Sequence, residues 1–505
     1  MLDVNSKQIA KNTLLLYVRM FLTMIISLYT SRIVLDVLGV EDFGIYNIVA
    51  GVLVLFSFLE TSLSSATQRF LNFYMGKADD RMIKKVFSTS LTIHMLLVFL
   101  TILLAETIGL WFLNTKLNIP ENRIYAANWV YQLALVSTCL RIITIPYQSN
   151  IIANEKMSFY AYVGIGEGLL KLGFVLLLNK IAYDNLIMYT GVLSILSFIV
   201  LLFFAVFNII NYSTTRYSFY WDNSLFKEIL SFAGWGLFGQ LANIGSIQGA
   251  NILLNLFFSV TLNAAMGIAN AVSSAAYAFV SNFQMAFRPQ IVKSYAANDR
   301  EYFIKLIMNS SKYSYYLLLL LCVPIYLNID YILDLWLVDV PEYAGIFCQL
   351  IILYLLVDSI QAPLWMAVHA TGKIRNYQVL MGSLTLLNIP TSYLLLLNGF
   401  SPPTVILARI IYNIVTYVAR INYLREHLNF PSIKYTSVVL GKAFFVTILS
   451  FLGIFAISEL FRLPSGSIIF ITMNCLIVLL TIAFFGLSKD DKNLILNYFK
   501  KGINE

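Results

Sequence analysis

The sequence predicts an all-α, polytopic membrane protein of about 14 transmembrane helices, built as two six-helix lobes in parallel pseudo-repeat plus two C-terminal helices. Three observations predict this. Of the 505 residues, 59% are hydrophobic and 12% charged, against about 45–50% and about 25% in soluble domains. Fourteen apolar runs of spanning length are bounded by charges, Pro, Asn and Gly. A shift of 219 residues lays part of the first half over the second.

In chain order the expected spans are 12–37, 44–66, 86–113, 127–147, 158–178 and 186–210, then 229–258, 262–287, 312–328, 344–368, 377–397, 402–424, 437–458 and 466–487. The first is too long for a signal peptide, contains Arg19 and Arg32, and lacks a small-residue cleavage site. The loops are too short for a catalytic ectodomain, and the composition excludes a soluble enzyme. The tail 488–505 reads as an interfacial helix, with Leu494, Ile495, Tyr498 and Phe499 toward lipid, or as a disordered segment.

The net charge of +8 reads as topology, with no nucleic-acid partner. Of 34 basic residues, 26 fall on the side that holds both termini, five on the other, and Arg19, Lys171 and Arg409 within spans. Both termini are therefore expected in the cytoplasm. The outer loop 328–343 agrees, carrying Asp330, Asp334, Asp339 and Glu342 with no basic residue. Cys139, Cys322, Cys348 and Cys475 lie in apolar stretches without metal or redox spacing, and His94, His369 and His427 are far apart, so neither a metal nor another cofactor is expected.

The shift of 219 places Ile33-Val34-Leu35-Asp36 on Ile252-Leu253-Leu254-Asn255 and Arg69 on Arg288, each arginine ending the second span of its half. The predicted organisation is a lobe at 1–210, a cytoplasmic link at 211–228, a second lobe at 229–425, two added spans within 437–487, and the tail.

Candidate functional residues are polar groups inside spans, because lipid tolerates them poorly. The eighth span carries Asn270, Ser274, Tyr277, Ser281, Gln284 and Arg288 at three- and four-residue spacing, one face of a helix. That face meets either a water-filled cavity or a neighbouring helix. Gly234, Gly236 and Gly239 spell G-x-G-x-x-G, but no strand precedes them, so the nucleotide reading fails. Arg19 is the preferred cavity cation, joined by Arg69, Arg288 and Lys171, although Glu167 stands four residues before Lys171 and either role, ion pair or ligand contact, fits. Arg409 reads as snorkelling from a helix end. Glu60 and Asp358 lack a sequence-local partner and are candidates for coupling H⁺ or Na⁺. Guanidinium groups suit a phosphate held away from water, whereas a drug or cation exporter calls for an acidic cavity.

The segment from Ser31 to Phe70 contains L-G-x-x-x-[FY]-G-x-[YF] as Leu38-Gly39-Val40-Glu41-Asp42-Phe43-Gly44-Ile45-Tyr46. It resembles the opening of the polysaccharide transporter family, the Wzx-type O-antigen and capsule flippases of the multidrug/oligosaccharidyl-lipid/polysaccharide (MOP) superfamily. The resemblance implies a non-enzymatic flippase for undecaprenyl-pyrophosphate-linked oligosaccharide in surface-polysaccharide biosynthesis, working by alternating access. Its partners would be the lipid-linked oligosaccharide, membrane lipid, a polysaccharide polymerase and glycosyltransferases. Alternatives are an ion-coupled multidrug exporter of the same superfamily and a membrane polysaccharide polymerase or ligase.

Overall fold

Long apolar segments with few interior breakers should fold as helices that satisfy their own backbone polar groups, as lipid requires. In a computed structural model, residues 2–54, 57–116, 119–178, 183–258, 260–337, 339–461, 467–488 and 492 are described, and they are helical nearly throughout, with no strand. The helices are α1 (Leu2–Val54), α2 (Ser57–Gly76), α3 (Asp80–Leu104), α4 (Leu110–Lys116), α5 (Ile124–Ala153), α6 (Met157–Leu178), α7 (Asn185–Asn211), α8 (Asn223–Phe257) and α9 (Val260–Ala296). They continue as α10 (Arg300–Leu327), α11 (Ile329–Trp336), α12 (Ala344–Thr371), α13 (Arg375–Leu386), α14 (Asn388–Leu397), α15 (Thr404–Leu428), α16 (Ser432–Tyr435), α17 (Lys442–Phe461) and α18 (Ile468–Thr481). Among the described residues, eleven segments are long and apolar enough to cross a membrane, and each coincides with one expected span. The other three expected spans, 12–37, 44–66 and 229–258, lie largely in α1, α2 and α8. This is a multi-pass membrane protein. The expected tail helix, with Leu494, Ile495, Tyr498 and Phe499, lies outside the described residues.

Three details differ from the expectation. Helix α1 runs to Val54 and breaks only at Gly39 (φ 73°, ψ 172°), a conformation that suits glycine. The acidic segment 328–343 contains a short helix, α11. Helices α2 and α9 each continue about two turns beyond Arg69 and Arg288, so neither arginine ends its helix.

By packing, the chain divides into two compact units. The first comprises Met1–Leu237, Pro289–Asp299 and His369–Arg375, and the second Phe238–Arg288, Arg300–Val368 and Asn376–Glu505. In the first unit α5 packs along α7 and α1 along α6. A core of Val34, Leu38, Ile45, Val49, Val130 and Tyr131, among others, fills the α1–α5–α7 region. Buried polar groups find partners there: Asn150 donates to Asn208 at 2.7 Å, and Tyr131 donates to the Ala105 carbonyl at 2.8 Å. Arg123 clasps one end of the unit, donating to Asp42 at 2.8 Å and to Asp184 at 2.5 Å.

In the second unit α14 packs on α15, α17 on α18, and α18 on α10. Buried Tyr435 donates to Ser311 at 2.8 Å and to the Ile360 carbonyl at 3.1 Å. Asn388 donates to Ser246 in a buried contact between α14 and α8. Arg300 donates to the carbonyl of Asn429 at 2.7 Å, where the left-handed backbone (φ 48°) ends α15.

Candidate functional site

Each unit brings several charged side chains of its helices together. In the first, α1 supplies Arg19, α2 Glu60, α5 Arg141, and α6 both Glu167 and Lys171. The Arg19 guanidinium lies 4.1 Å from the centroid of the Tyr160 ring, close enough for cation–π attraction. Its Nε stands 2.6 Å from where a Cβ on Gly164 would lie, so the glycine makes room for the cation. Thr23 and Thr30, on the same face of α1, instead donate to the carbonyls of Arg19 and Ile26 at 2.8 and 2.6 Å. Glu167 lies within electrostatic reach of Arg19, Lys171 and Arg141, and Glu60 within reach of Arg141. Lys171 sits 5.8 Å from the Tyr189 ring, which meets Tyr46 edge to face at 5.1 Å. Three cations thus face two carboxylates. Two buried atoms of this cluster, Arg19 Nε and Glu60 Oε1, have no hydrogen-bond partner among the described residues.

Arg69 has a different setting. It is 4% exposed, donates to the Ala370 carbonyl at 3.2 Å, and lies 4.5 and 4.7 Å from the rings of Phe70 and Phe73. Gly372 (φ 79°) lies against it, and a Cβ there would come within 2.3 Å of Arg69 Nη2. The side chain braces a turn.

In the second unit the polar stripe on α9 divides along its length. Ser274 and Tyr277 are exposed and Asn270 and Ser281 half-buried. The two serines donate to their own helix, to the carbonyls of Asn270 and Ala278 at 2.9 and 3.1 Å. Gln284 is buried and donates to Ser314 at 3.2 Å and to the Ser359 carbonyl at 3.4 Å. Arg288 lies 5.6 Å from the Trp365 ring. Gln284 thus packs on α10 and α12, whereas Ser274 and Tyr277 are exposed.

Asp358 on α12 stands next to Asn413, Arg409 and Arg420 of α15, and Tyr277 is within its field. Arg409 lies 4.9 Å from the Tyr354 ring, and Arg420 donates to the Gln361 carbonyl at 2.9 Å. Sequence reasoning read Arg409 as snorkelling and passed over Asn413 and Arg420. A signal was available: residues 409, 413, 416 and 420 recur at steps of four, three and four, one face of a helix, and Arg409, Asn413 and Thr416 are all buried. The four free cysteines form no disulfide.

The MatE family profile matches residues 251–394, and no curated protein sequence matches the chain. Among solved structures, the chain is similar to a mutant MATE protein, with TM-score 0.73, 14% identity, and coverage of 84% of this chain and 96% of that one. It is also similar to an outward-facing multidrug resistance MATE family transporter of the MOP superfamily, with TM-score 0.72, 13% identity, and the same coverage. A third similar structure is a MOP superfamily transporter from Pyrococcus furiosus, described as having a binding pocket of reversed polarity, with TM-score 0.67 and 14% identity over 84% of this chain and 96% of that one.

The chain has the fold of a MATE transporter. These findings correct the resemblance to Wzx-type flippases: they point to MATE, not to O-antigen or capsule export. The expected lipid-linked oligosaccharide, polymerase and glycosyltransferase partners fall with it. The motif itself explains the error. Leu38 and Ile45 belong to the core, Gly39 makes the break in α1, Asp42 binds Arg123, and Tyr46 packs on Tyr189. These residues serve the packing of this fold, and none of these contacts reports on cargo.

Proposed function

We propose that the protein is an ion-coupled exporter of MATE type that carries drug-like amphipathic molecules across the membrane by alternating access of two six-helix lobes, 1–210 and 229–425. The observation that carries this reading is the likeness to MATE structures over 84% of the chain. In this reading the protein lies in the bacterial inner membrane with both termini cytoplasmic. Each lobe has its own candidates for substrate contact, Arg19 and Lys171 in the first and Asn270, Ser274, Tyr277 and Ser281 in the second. Arg69 and Arg288 support the helices that carry them, and Gln284 anchors the packed end of the stripe.

Coupling falls to the carboxylates. Glu60 beside Arg141, and Asp358 beside Arg409 and Arg420, each hold an acid against guanidinium groups that keep their charge. A proton arriving at either acid releases the facing arginine and adds one positive charge to the cluster, which repels a bound cation and favours an anionic or neutral molecule. Each cluster already holds one more cation than carboxylate. The Pyrococcus transporter with reversed pocket polarity supports the idea that this fold accepts more than one sign of pocket, and the local charge here favours neutral or anionic amphiphiles.

The test is efflux from cells that lack their own exporters, scored with dyes of each charge. Wild-type protein should lower accumulation of neutral or anionic dyes, and dissipating the H⁺ or Na⁺ gradient should abolish this. Asp358→Asn, present in the membrane at normal level, should lose the gradient dependence. Gradient-independent efflux, or no efflux of any dye, would overturn the reading.

A further inference from the structure

The stretch joining α7 to α8, residues 212–222, has a composition unlike a solvated linker. It reads Tyr-Ser-Thr-Thr-Arg-Tyr-Ser-Phe-Tyr-Trp-Asp. It opens with a 3₁₀ turn, Ser213–Thr215, tied back when Thr215 donates to the Asn208 carbonyl at 2.9 Å. From there the chain follows α3 in the opposite direction. The Tyr217 hydroxyl lies 3.3 Å from that of Thr92, the Ser218 amide donates to Ser88 at 3.3 Å, and Lys85 sits 4.5 Å from the Tyr220 ring. These contacts step from 92 to 88 to 85, about 10 Å along the helix. The stretch is thus pinned, yet it leaves Tyr217, Phe219 and Trp221 exposed by 42%, 72% and 51%.

Residues 217, 219 and 221 bring three large aromatic rings to the surface of this non-helical segment. Water solvates such a surface poorly, whereas aromatic rings favour the headgroup level of a bilayer. Around it, Lys77, Arg81, Lys84, Arg216 and Lys227 are exposed, and among the described residues none of these five is in a salt bridge. Four carboxylates share the region, Asp79, Asp80, Asp222 and Glu228. Two of them are spent on helix starts: Asp79 accepts from the Met82 amide at 3.0 Å, and Asp222 from the Ser224 and Leu225 amides at 2.9 and 3.3 Å. The positive ends of those helices offset these two charges.

We propose that residues 216–221, with Arg81, Lys84 and Lys227, form a binding surface for anionic phospholipid headgroups, the aromatic side chains entering the acyl boundary beneath. Each exposed cation adds attraction to an anionic surface, so the selectivity comes from several acting together. This surface depends on the chain being a membrane protein and not on what it transports. It can therefore fail while the exporter reading stands, and the reverse.

The test places the full chain in nanodiscs of phosphatidylcholine alone or mixed with phosphatidylglycerol, followed by native mass spectrometry of retained lipid. Wild-type protein should retain phosphatidylglycerol in preference, and the triple variant Arg81→Gln, Lys84→Gln, Arg216→Gln should lose that preference. Arg81→Lys with Arg216→Lys should keep it, which separates lost charge from lost folding. Brominated acyl chains should quench the fluorescence difference between wild-type protein and Trp221→Phe. Equal retention of both lipids, an unchanged preference in the triple variant, or an unquenched Trp221, as expected if a soluble protein covers the surface, would overturn the proposal.

Discussion

At the scale of single residues, the positions that matter are those where space or charge leaves one choice. Gly164 faces Arg19 so closely that Gly164→Ala should push the guanidinium off Tyr160 while the flexible arginine absorbs the strain. Efflux should then fall on the order of tenfold or more, with stability changed by less than about 1 kcal/mol. Gly166→Ala, with open space at its Cβ, is the control. The Arg123 clasp gives a pH prediction. Partial burial opposes ionisation of Asp184, yet hydrogen bonds from Arg123 and from the Ile187 and Leu186 amides hold its carboxyl below the usual range. A depressed carboxylate contributes stability above its unfolded value of about 3.9 and loses it as pH falls further. The wild-type Tm should therefore exceed that of Asp184→Asn near neutrality, by the equivalent of about 0.2–1 kcal/mol for this partly exposed pair, and the two should converge in acid. Asp358 marks where sequence reading stopped at this scale. The acid stood out for want of a local partner, but its partners lie about fifty to sixty residues away in the chain, and only folding brings α15 to α12.

At the scale of elements, hydrophobic runs were a sufficient guide to helices, since lipid leaves an apolar segment few alternatives. Eleven of the fourteen expected spans coincide with helices long and apolar enough to cross a membrane. What the runs did not carry was the state of each polar face. The α9 stripe looked uniform at three- and four-residue spacing, yet Gln284 is buried and donates to Ser314 of α10 and to the Ser359 carbonyl of α12, whereas Ser274 and Tyr277 are exposed. Single-cysteine variants should display this difference. Ser274→Cys and Tyr277→Cys should react with a water-soluble maleimide, and Gln284→Cys should stay protected until the protein is unfolded. Uniform labelling along the stripe would contradict the packing.

At the scale of the whole molecule, the positive-inside bias is a sum over many residues, 26 of the 34 basic ones, and is legible in sequence for that reason. If that bias sets orientation, green fluorescent protein fused to either end should fluoresce, and alkaline phosphatase fused to either end should be inactive. The cargo was not readable in the same way. Counting arginines without their partners suggested a pyrophosphate site. In the folded chain Arg69 binds a backbone carbonyl, Lys171 stands near Glu167, and Arg19 lies over a ring with Glu167 in reach. Charge that is already answered within the protein says little about a ligand.

The π-helical turn at Ala105–Gly109, between α3 and α4, sets the direction in which the side chains after it point. Such a turn carries one residue more than a regular α-helical turn. Tyr131 holds it: its hydroxyl donates to the Ala105 carbonyl and stands where a Cβ on Gly109 would lie. Removing one residue would restore a regular helix but turn Leu110–Lys116 by about 100°. Exposed Trp111 would swing around the helix and buried Leu113 out of the core. A one-residue deletion here should therefore be tolerated only if Tyr131 changes with it.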